Sequence, residues 1–213
     1  MANKSEHIPR ATITRLAIYL QVLENLRRDG VEVISSGPLA EACDVNASQI
    51  RKDLTYFGEF GVRGVGYNVQ DLIHSIKQSL GIDHEWNCVL IGVVNIGKAL
   101  LSHREFAKRG FTIVGAFDCD PFKIGEEISG LEVVCTRRLK ERIMDRNVRI
   151  GIITTPPERA QRAANHLVDA GIKGIVNYAP ARIVVPEDVM VEYVDFSHHL
   201  FSLAFHISTP HKD

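Results

Sequence analysis

The sequence predicts an α/β protein in two parts: a small helical unit carrying a glycine-rich β turn, then a doubly wound parallel sheet that ends in one strongly apolar helix. Three observations predict it. A short helix capped by Asn46 has a polar, cationic outer face and runs straight into a stretch with glycines at 58, 61, 64 and 66. Beyond residue 85, apolar strands alternate with helical segments, the pattern of a parallel sheet covered on both faces. The last segment, Phe196 to Ile207, is apolar on more than one side.

Composition sets bounds on partners and compartment. The chain has 213 residues, room for one large domain or two small ones. Hydrophobic residues make up 45% and charged ones 24%, an ordinary globular balance. No apolar run approaches the roughly 20 residues of a membrane span, and the first residues lack the apolar core of a signal peptide. A cytoplasmic protein with no membrane partner is expected. The four cysteines, Cys43, Cys88, Cys119 and Cys135, form no C-x-x-C pair and have no histidine at zinc spacing, which predicts buried or incidental thiols and no metal. A net charge of −1 argues against a protein that coats nucleic acid through bulk charge. Residues 1–80 hold nine Lys/Arg and nine Asp/Glu, so DNA contacts there must come from a few placed cations: Arg10, Arg15, Arg51, Lys52 and Arg63.

The first helix spans about Pro9 to Asp29, between a proline suited to a helix start and Gly30 as the stop, with Ile13, Leu16, Leu20 and Leu23 in one apolar stripe. Val31 to Ile34 reads as a short strand. Ser35 to Pro38 opens a second helix through Leu39 and Ala42, and Asp44-Val45 makes a tight turn. Asn46 then caps a third helix, and Gln49 three residues on completes a capping-box pattern. Ile50, Leu54 and Phe57 share the buried face of this helix; Ser48, Lys52 and Thr55 lie opposite, flanked by Gln49 and Arg51. Two short helices joined this way have the helix-turn-helix layout. The glycine run that follows reads as a hairpin, and a hairpin directly behind a recognition helix is a wing, with Arg63 near its tip. Val69 to Leu80 is a further amphipathic helix. A polar connection over 81–86 places the winged-helix domain at 1–84 and the next domain at 85–194.

In the second part Cys88–Ile91 is a strand ending at Gly92, Ile96 to Lys108 is helical, and Phe111–Phe117 is a strand ending at Asp118. Glu132–Val134, Arg149–Ile153 and Gly174–Val176 follow as strands, with a helix over Glu158–Ala170 among the connections. The turn Gly92-Val93-Val94-Asn95-Ile96-Gly97 matches the outer glycines of the dinucleotide fingerprint G-x-G-x-x-G, with Val94 in the middle place. Asp118 lies 21 residues after Gly97, where an acid bonds the ribose hydroxyls and repels a 2′-phosphate, favouring NAD(H) over NADP(H). The helix start after Gly92 offers amides and a positive dipole end to a pyrophosphate. Val94 crowds that approach and disfavours positive φ, so weakened binding is expected. On the motif alone, a dinucleotide site and a doubly wound domain without a nucleotide are equally open.

From Ile34 to Val69 the chain reads ISSGPLAEACDVNASQIRKDLTYFGEFGVRGVGYNV, with Arg51-Lys52-Asp53-Leu54, Phe57-Gly58 and Gly64-Val65-Gly66-Tyr67 as its most specific runs. With Phe117-Asp118-Cys119-Asp120-Pro121, Thr155-Pro156 and Asn177-Tyr178-Ala179-Pro180, it closely resembles the Rex family of redox-sensing transcriptional repressors over nearly the whole chain. The resemblance implies a Rossmann-type second domain that binds NADH/NAD. It also implies a homodimer that holds double-stranded DNA at a palindromic AT-rich operator and releases it when NADH binds. DNA contacts are implied at Arg51 and Lys52, with Arg63 on the wing. Dinucleotide contacts are implied at Gly92, Gly97 and Asp118, with Val93, Val94, Asn95 and Ile96 in the turn between the glycines. Thr155, Pro156, Asn177 and Ala179 are implied near the nicotinamide. Val94 departs from the family's middle glycine, and His103 stands where relatives often carry tyrosine.

Phe196, Leu200, Leu203 and Ile207 form one stripe of the last helix, and Phe201 and Phe205 a second. A helix apolar on two sides must be buried on two sides, which points to insertion between domains or into a partner subunit. The resemblance implies exchange across the dimer, so residues 195–213 are assigned as a domain-swapped helix. His198 and His199, adjacent on a helix, do not face one ligand. Two other functions fit the pattern. One is a winged-helix regulator whose second domain binds a different ligand or only dimerises. The other is a small NAD-dependent dehydrogenase, which needs a substrate domain and a positioned acid/base group. Only 127 residues follow Trp86 and no such constellation is evident, so no enzyme is expected.

Overall fold

The structure, a computed structural model, describes residues 8–58, 61 and 65–209. The chain divides into two compact units, Met1–His84 and Glu85–Asp213.

In the first unit α1 (Arg10–Arg28), α2 (Ser36–Ala42), α3 (Ala47–Thr55) and α4 (Val69–Ser79) enclose a core that includes Leu16, Leu23, Leu39, Ile50, Leu54 and Ile76. Ile13 departs from the expected stripe and is 45% exposed. The buried row of α1 runs through Thr12, Leu16, Tyr19, Leu20 and Leu23, and Ile13 lies about 100° round the helix from Thr12. Asn46 caps α3 as its sequence dictates, its Oδ1 accepting the Gln49 N–H at 2.8 Å. The reciprocal half of the capping box is absent, because the Gln49 amide donates to Asp53 Oδ1 at 2.8 Å instead. Asp44, at φ 53°, turns the chain between α2 and α3, a conformation that Asp tolerates. The wing is seen in part. β2 (Tyr67–Asn68) pairs antiparallel with β1 (Val33–Ile34), Tyr67 opposite Ile34, so the partner strand precedes α2. Residues 59, 60 and 62–64, among them the wing's Arg63, lie outside the described residues.

A buried charge joins α1 to α3. Asp53 is 0% exposed, one turn from Ile50 on the apolar face of α3. Arg15 Nε and Nη2 donate to its two carboxylate oxygens at 2.6 and 2.7 Å, Tyr19 Oη donates at 2.8 Å and Thr12 Oγ1 at 3.2 Å. Burial pushes the Asp53 carboxyl up, but the bonds from Arg15, Tyr19 and Gln49 together outweigh it and hold it below the usual carboxylate value.

The second unit runs β3 (Trp86–Ile91), α5 (Asn95–Leu101), α6 (Glu105–Lys108), β4 (Phe111–Asp118), β5 (Glu127–Ile128), β6 (Leu131–Cys135), α7 (Leu139–Ile143), β7 (Val148–Ile153), α8 (Pro157–Asp169), β8 (Gly174–Asn177), β9 (Met190–Tyr193) and α9 (Ser197–Ser208). The sheet order is β5-β6-β4-β3-β7-β8-β9, parallel except for the β5–β6 pair. β3 is central, and Cys88, Val89, Leu90 and Ile91 are all buried, as a strand covered on both faces requires. On α8, Ala160, Ala163, Ala164 and Leu167 form the face packed on the sheet. β5 and β9 are not evident in the sequence: one has two residues, and the other is an edge strand without a continuous apolar run. The helix expected over Ile96–Lys108 is interrupted. Ser102 Oγ bonds back to Lys98 O at 3.0 Å and His103 N to Leu100 O at 3.1 Å, which ends α5 before α6 begins. None of the residues of α9 is buried; Phe196, Leu200, Phe201, Leu203, Phe205 and Ile207 are 57–82% exposed. No described helix is long and apolar enough to cross a membrane.

Arg15→Ala would leave the buried Asp53 with neutral donors alone, and a denaturant titration should show a loss of about 3 kcal/mol. The folded pKa of Asp53 is depressed, so its contribution is present above the unfolded value of about 3.9 and is lost as pH falls through the folded value. Asp53→Asn should therefore flatten the acid limb of a stability–pH curve followed by circular dichroism.

Candidate functional site

Ser48, Arg51, Lys52 and Thr55 share one exposed face of α3, at spacings that place them side by side. Arg51 Nη1 donates to Ser36 Oγ at 2.9 Å, which holds the guanidinium beside the start of α2. Thr55 Oγ1 donates to Lys52 O at 2.7 Å, and Ser48 Oγ to Asn46 Oδ1 at 2.5 Å. Arg10 is exposed at the first residue of α1. Two residues expected on this surface are engaged elsewhere: Arg15 and Gln49 both turn onto Asp53. The reason is charge compensation, since an ionised carboxylate is buried only with donors around it. The available signal was an acid inside the apolar stripe of the third helix, with Arg15 and Tyr19 one turn apart on the first.

The fingerprint turn leaves β3 at the centre of the sheet, where the winding reverses, the position at which open α/β sheets bind ligands. Gly92 has φ +103°, and a Cβ there would stand 2.6 Å from Thr155 N. A Cβ on Gly97 would stand 2.3 Å from Gly92 O. The outer glycines are thus required by the turn itself. Val94 is different: at φ −96° and ψ −174° it is the extended N-cap of α5. The strain expected of valine at the middle position is absent, because this backbone region is open to branched side chains. Thr154 Oγ1 donates to Gly92 O at 2.6 Å.

Asp118 completes the turn. It is 4% exposed; Oδ2 accepts the Val93 N–H at 2.8 Å, and Oδ1 accepts the N–H groups of Cys119 and Asp120 at 2.7 and 3.0 Å. Lys123 Nζ stands 3.3 Å from Oδ2. Four donors occupy the lone pairs that were expected to serve a ribose, so the carboxylate binds the turn to the end of β4. Burial pushes the Asp118 carboxyl up, but the N–H groups of Asp120 and Val93 and the Lys123 charge hold it below the usual value. Lys98, beside Gly97, is paired with Glu126 at 2.6 Å.

Gly92, Val94, Asp118, Thr155 and Pro156 line one cavity of about 470 Å³ at the C-terminal ends of the strands. Lys123, Arg137, Arg159 and Arg162 line it too, and none of them was singled out from the sequence, although Arg159 and Arg162 stand one turn apart on α8. Ile96, Asn177 and Ala179 line a second cavity of about 550 Å³, with Tyr178, Tyr193 and Phe196. Val93 and Gly97 are buried in the turn, and Asn95 is exposed. The Asn177 amide is committed to its own loop, donating to Ala181 O at 2.8 Å and accepting the Ala179 N–H at 3.0 Å. Among the described residues Thr155 Oγ1 is a buried side-chain oxygen with no hydrogen-bond partner. Such an atom costs about 1–3 kcal/mol unless a ligand meets it. That oxygen, in the cavity beside the Gly92 turn at the switch point of the sheet, fits a bound nucleotide. Cys43 and Cys88 are buried thiols pushed up to about 11 by that burial. Cys119 is exposed, and its Sγ accepts from Arg159 Nη1 at 3.4 Å. No group of three metal-ligating side chains occurs among the described residues.

A helix-turn-helix unit with a β wing, joined to a doubly wound domain with a nucleotide-type turn at its switch point, defines the class of protein. Residues 7–55 match the family model described as "Putative DNA-binding protein N-terminus", and residues 83–181 match "CoA binding domain". The chain is 67% identical over 211 residues to the redox-sensing transcriptional repressor Rex of Solidesulfovibrio magneticus, covering 99% of this chain and 96% of the relative. It is 70% identical over 206 residues to that of Maridesulfovibrio salexigens, covering 97% and 99%. Among solved structures, RSP, a Rex-family repressor, in complex with β-NAD⁺ and operator DNA is similar at a TM-score of 0.90 and 39% identity, over 95% of this chain and 94% of that one. RSP in complex with β-NADH is similar at 0.85 and 38%, over 94% of each. The chain belongs to the Rex family of redox-sensing transcriptional repressors.

Gly97→Ala should destabilise the second unit by about 1–3 kcal/mol, since the new Cβ overlaps backbone that cannot give way. Val94→Gly relieves no strain, so its denaturant midpoint should stay close to that of the unaltered protein. An equal loss in the two variants would contradict the geometry of the turn.

Proposed function

We propose that the protein is a transcriptional repressor that reads the NADH/NAD⁺ ratio and releases its operator when NADH binds. The observation that carries this reading is the pairing, in one chain, of the exposed cationic face of α3 with the glycine turn and the orphaned Thr155 oxygen. The likeness to a repressor solved with β-NAD⁺ and operator DNA supports it.

On the DNA side Arg51 and Lys52 supply charge-assisted bonds to phosphates or base edges, with Ser48 and Thr55 beside them, Arg10 at the head of α1, and Arg63 on the wing. Near-zero net charge makes these placed groups decisive. On the ligand side Gly92 and Gly97 permit the tight turn that would carry the pyrophosphate, with Val93, Val94, Asn95 and Ile96 between them. Two cavities that share this turn suit the two halves of a dinucleotide: Asp118, Thr155 and Pro156 belong to one, Ile96, Asn177 and Ala179 to the other. When bound, the nicotinamide supplies a ring that is cationic when oxidised and neutral when reduced. Thr155 Oγ1 gains its missing partner on ligand binding. The protein acts as a cytoplasmic sensor, and the chain's role is to hold the dinucleotide without turning it over.

The repressor works as a homodimer on a palindromic AT-rich operator, and α9 is exchanged with the partner subunit. Each large apolar side chain of α9 would contribute about 1.5–3 kcal/mol on full burial, which favours covering them. Two recognition helices on one duplex require half-sites roughly one helical turn, or a multiple, apart.

The deciding experiment is operator binding by the full chain with NADH and NAD⁺ added separately. NADH should release the DNA and NAD⁺ should not; an identical response to both would overturn the sensor. Lys52→Ala or Arg51→Ala should weaken operator binding by about 1–3 kcal/mol in fluorescence anisotropy, with the fold intact. A chain ending at Val194 should sediment as a monomer and lose its response to NADH.

A further inference from the structure

Arg51 stands where three segments of the first unit meet. It lies within α3, and its Nη1 donates at 2.9 Å to the Oγ of Ser36, the residue that opens α2. The third segment is the wing strand β2. Burial pushes the hydroxyl of its Tyr67 up, and the nearby Arg51 charge pulls the other way. Lys52, the next residue, is exposed and has no side-chain partner among the described residues. The two cations also differ in direction. Ser48, Lys52 and Thr55 stand about 140–160° round α3 from the buried Ile50 and face straight out, whereas Arg51 stands about 100° round, on the flank beside α2. A recognition helix lies in the major groove while the helix before it crosses the sugar–phosphate backbone. A guanidinium held against α2 therefore meets phosphate, and the outward row meets base edges. The bond to Ser36 uses one of the five guanidinium N–H groups and leaves the rest of the fork for phosphate oxygens. Fixing so flexible a side chain before DNA arrives removes part of the ordering cost of binding.

We propose that Ser36 is a positioning residue for DNA binding: its hydroxyl fixes Arg51 as an anchor on the DNA backbone and leaves base reading to Ser48, Lys52 and Thr55. The proposal rests on the DNA-binding reading above and divides its two recognition-helix cations by task. Arg51 supplies affinity for any duplex, and Lys52 supplies the preference for one sequence.

The test is fluorescence anisotropy of the full-length protein, over a range of salt, on two duplexes of equal length. One is an operator selected from random sequence by the unaltered protein, the other an unrelated sequence. Ser36→Ala should weaken binding to both by about three- to tenfold and leave their affinity ratio unchanged. Ser36→Thr, which keeps the hydroxyl, should restore binding. Arg51→Ala should weaken both duplexes alike and lower the slope of log affinity against log salt by about 1. Once Arg51 is alanine, Ser36→Ala should cost nothing further, which separates positioning from a structural role. Lys52→Ala should instead lower the ratio of operator to unrelated affinity by about tenfold or more. The proposal is overturned if Ser36→Ala binds as tightly as the unaltered protein, if its loss persists in full without Arg51, or if the affinity ratio falls with Arg51→Ala or holds with Lys52→Ala; in each case the DNA-binding reading stands. If the unaltered protein selects no duplex, the DNA-binding reading fails with it.

Discussion

An ionised carboxylate withdrawn from water needs donors on every side, and that constraint organises both units of this protein. In the first unit Asp53 draws Arg15, Tyr19 and Thr12 from α1 and Gln49 from α3 onto two oxygens. The angular setting of α3 on α1 follows from that arrangement, because a bidentate guanidinium tolerates little rotation. In the second unit Asp118 gathers the fingerprint turn, its own following loop and Lys123. The end of β4 is thereby tied to the turn that leaves β3. Neither carboxylate faces a partner or ligand with a free lone pair; each sets the position of the residues that do.

The polar groups of the chain sort by whether folding has already engaged them. Arg15, Gln49, Lys98, Asp118 and Asn177 are committed to internal bonds. Among the described residues Lys52 on α3 and the guanidinium groups of Arg159 and Arg162 on α8 have no carboxylate partner, and the Thr155 hydroxyl has no hydrogen-bond partner. Function in a nearly neutral chain depends on this second set. A nucleic acid or a phosphorylated ligand can exchange water for bonds only with groups that folding has left available.

The exposed apolar helix α9 belongs to the same account. Six large apolar side chains, from Phe196 to Ile207, are left in water and belong to neither core cluster of the sheet. The proposed exchange with a partner subunit covers them. It makes dimer formation and ligand response parts of one equilibrium in the proposed repressor.

Local signals in the sequence determined a great deal. Asn46 and its N–H partner Gln49, the glycine turn after Ile91, the Ala-rich stripe of α8 and the double apolar stripe of α9 act over a few residues, and helix, strand and turn follow from them by period and capping. The two-part organisation followed from the same signals. The tertiary structure alone decided which polar residues are available. Arg15 meets Asp53 across 38 residues and Val93 meets Asp118 across 25, and no periodicity encodes such pairings. It also decided that Val94 is unstrained, because φ at that position is set by how β3 enters α5 rather than by the glycine pattern. The cluster of Lys123, Arg137 and Arg159 was invisible in the sequence for the same reason: the three residues come from separate segments and meet only where the sheet brings their strand ends together.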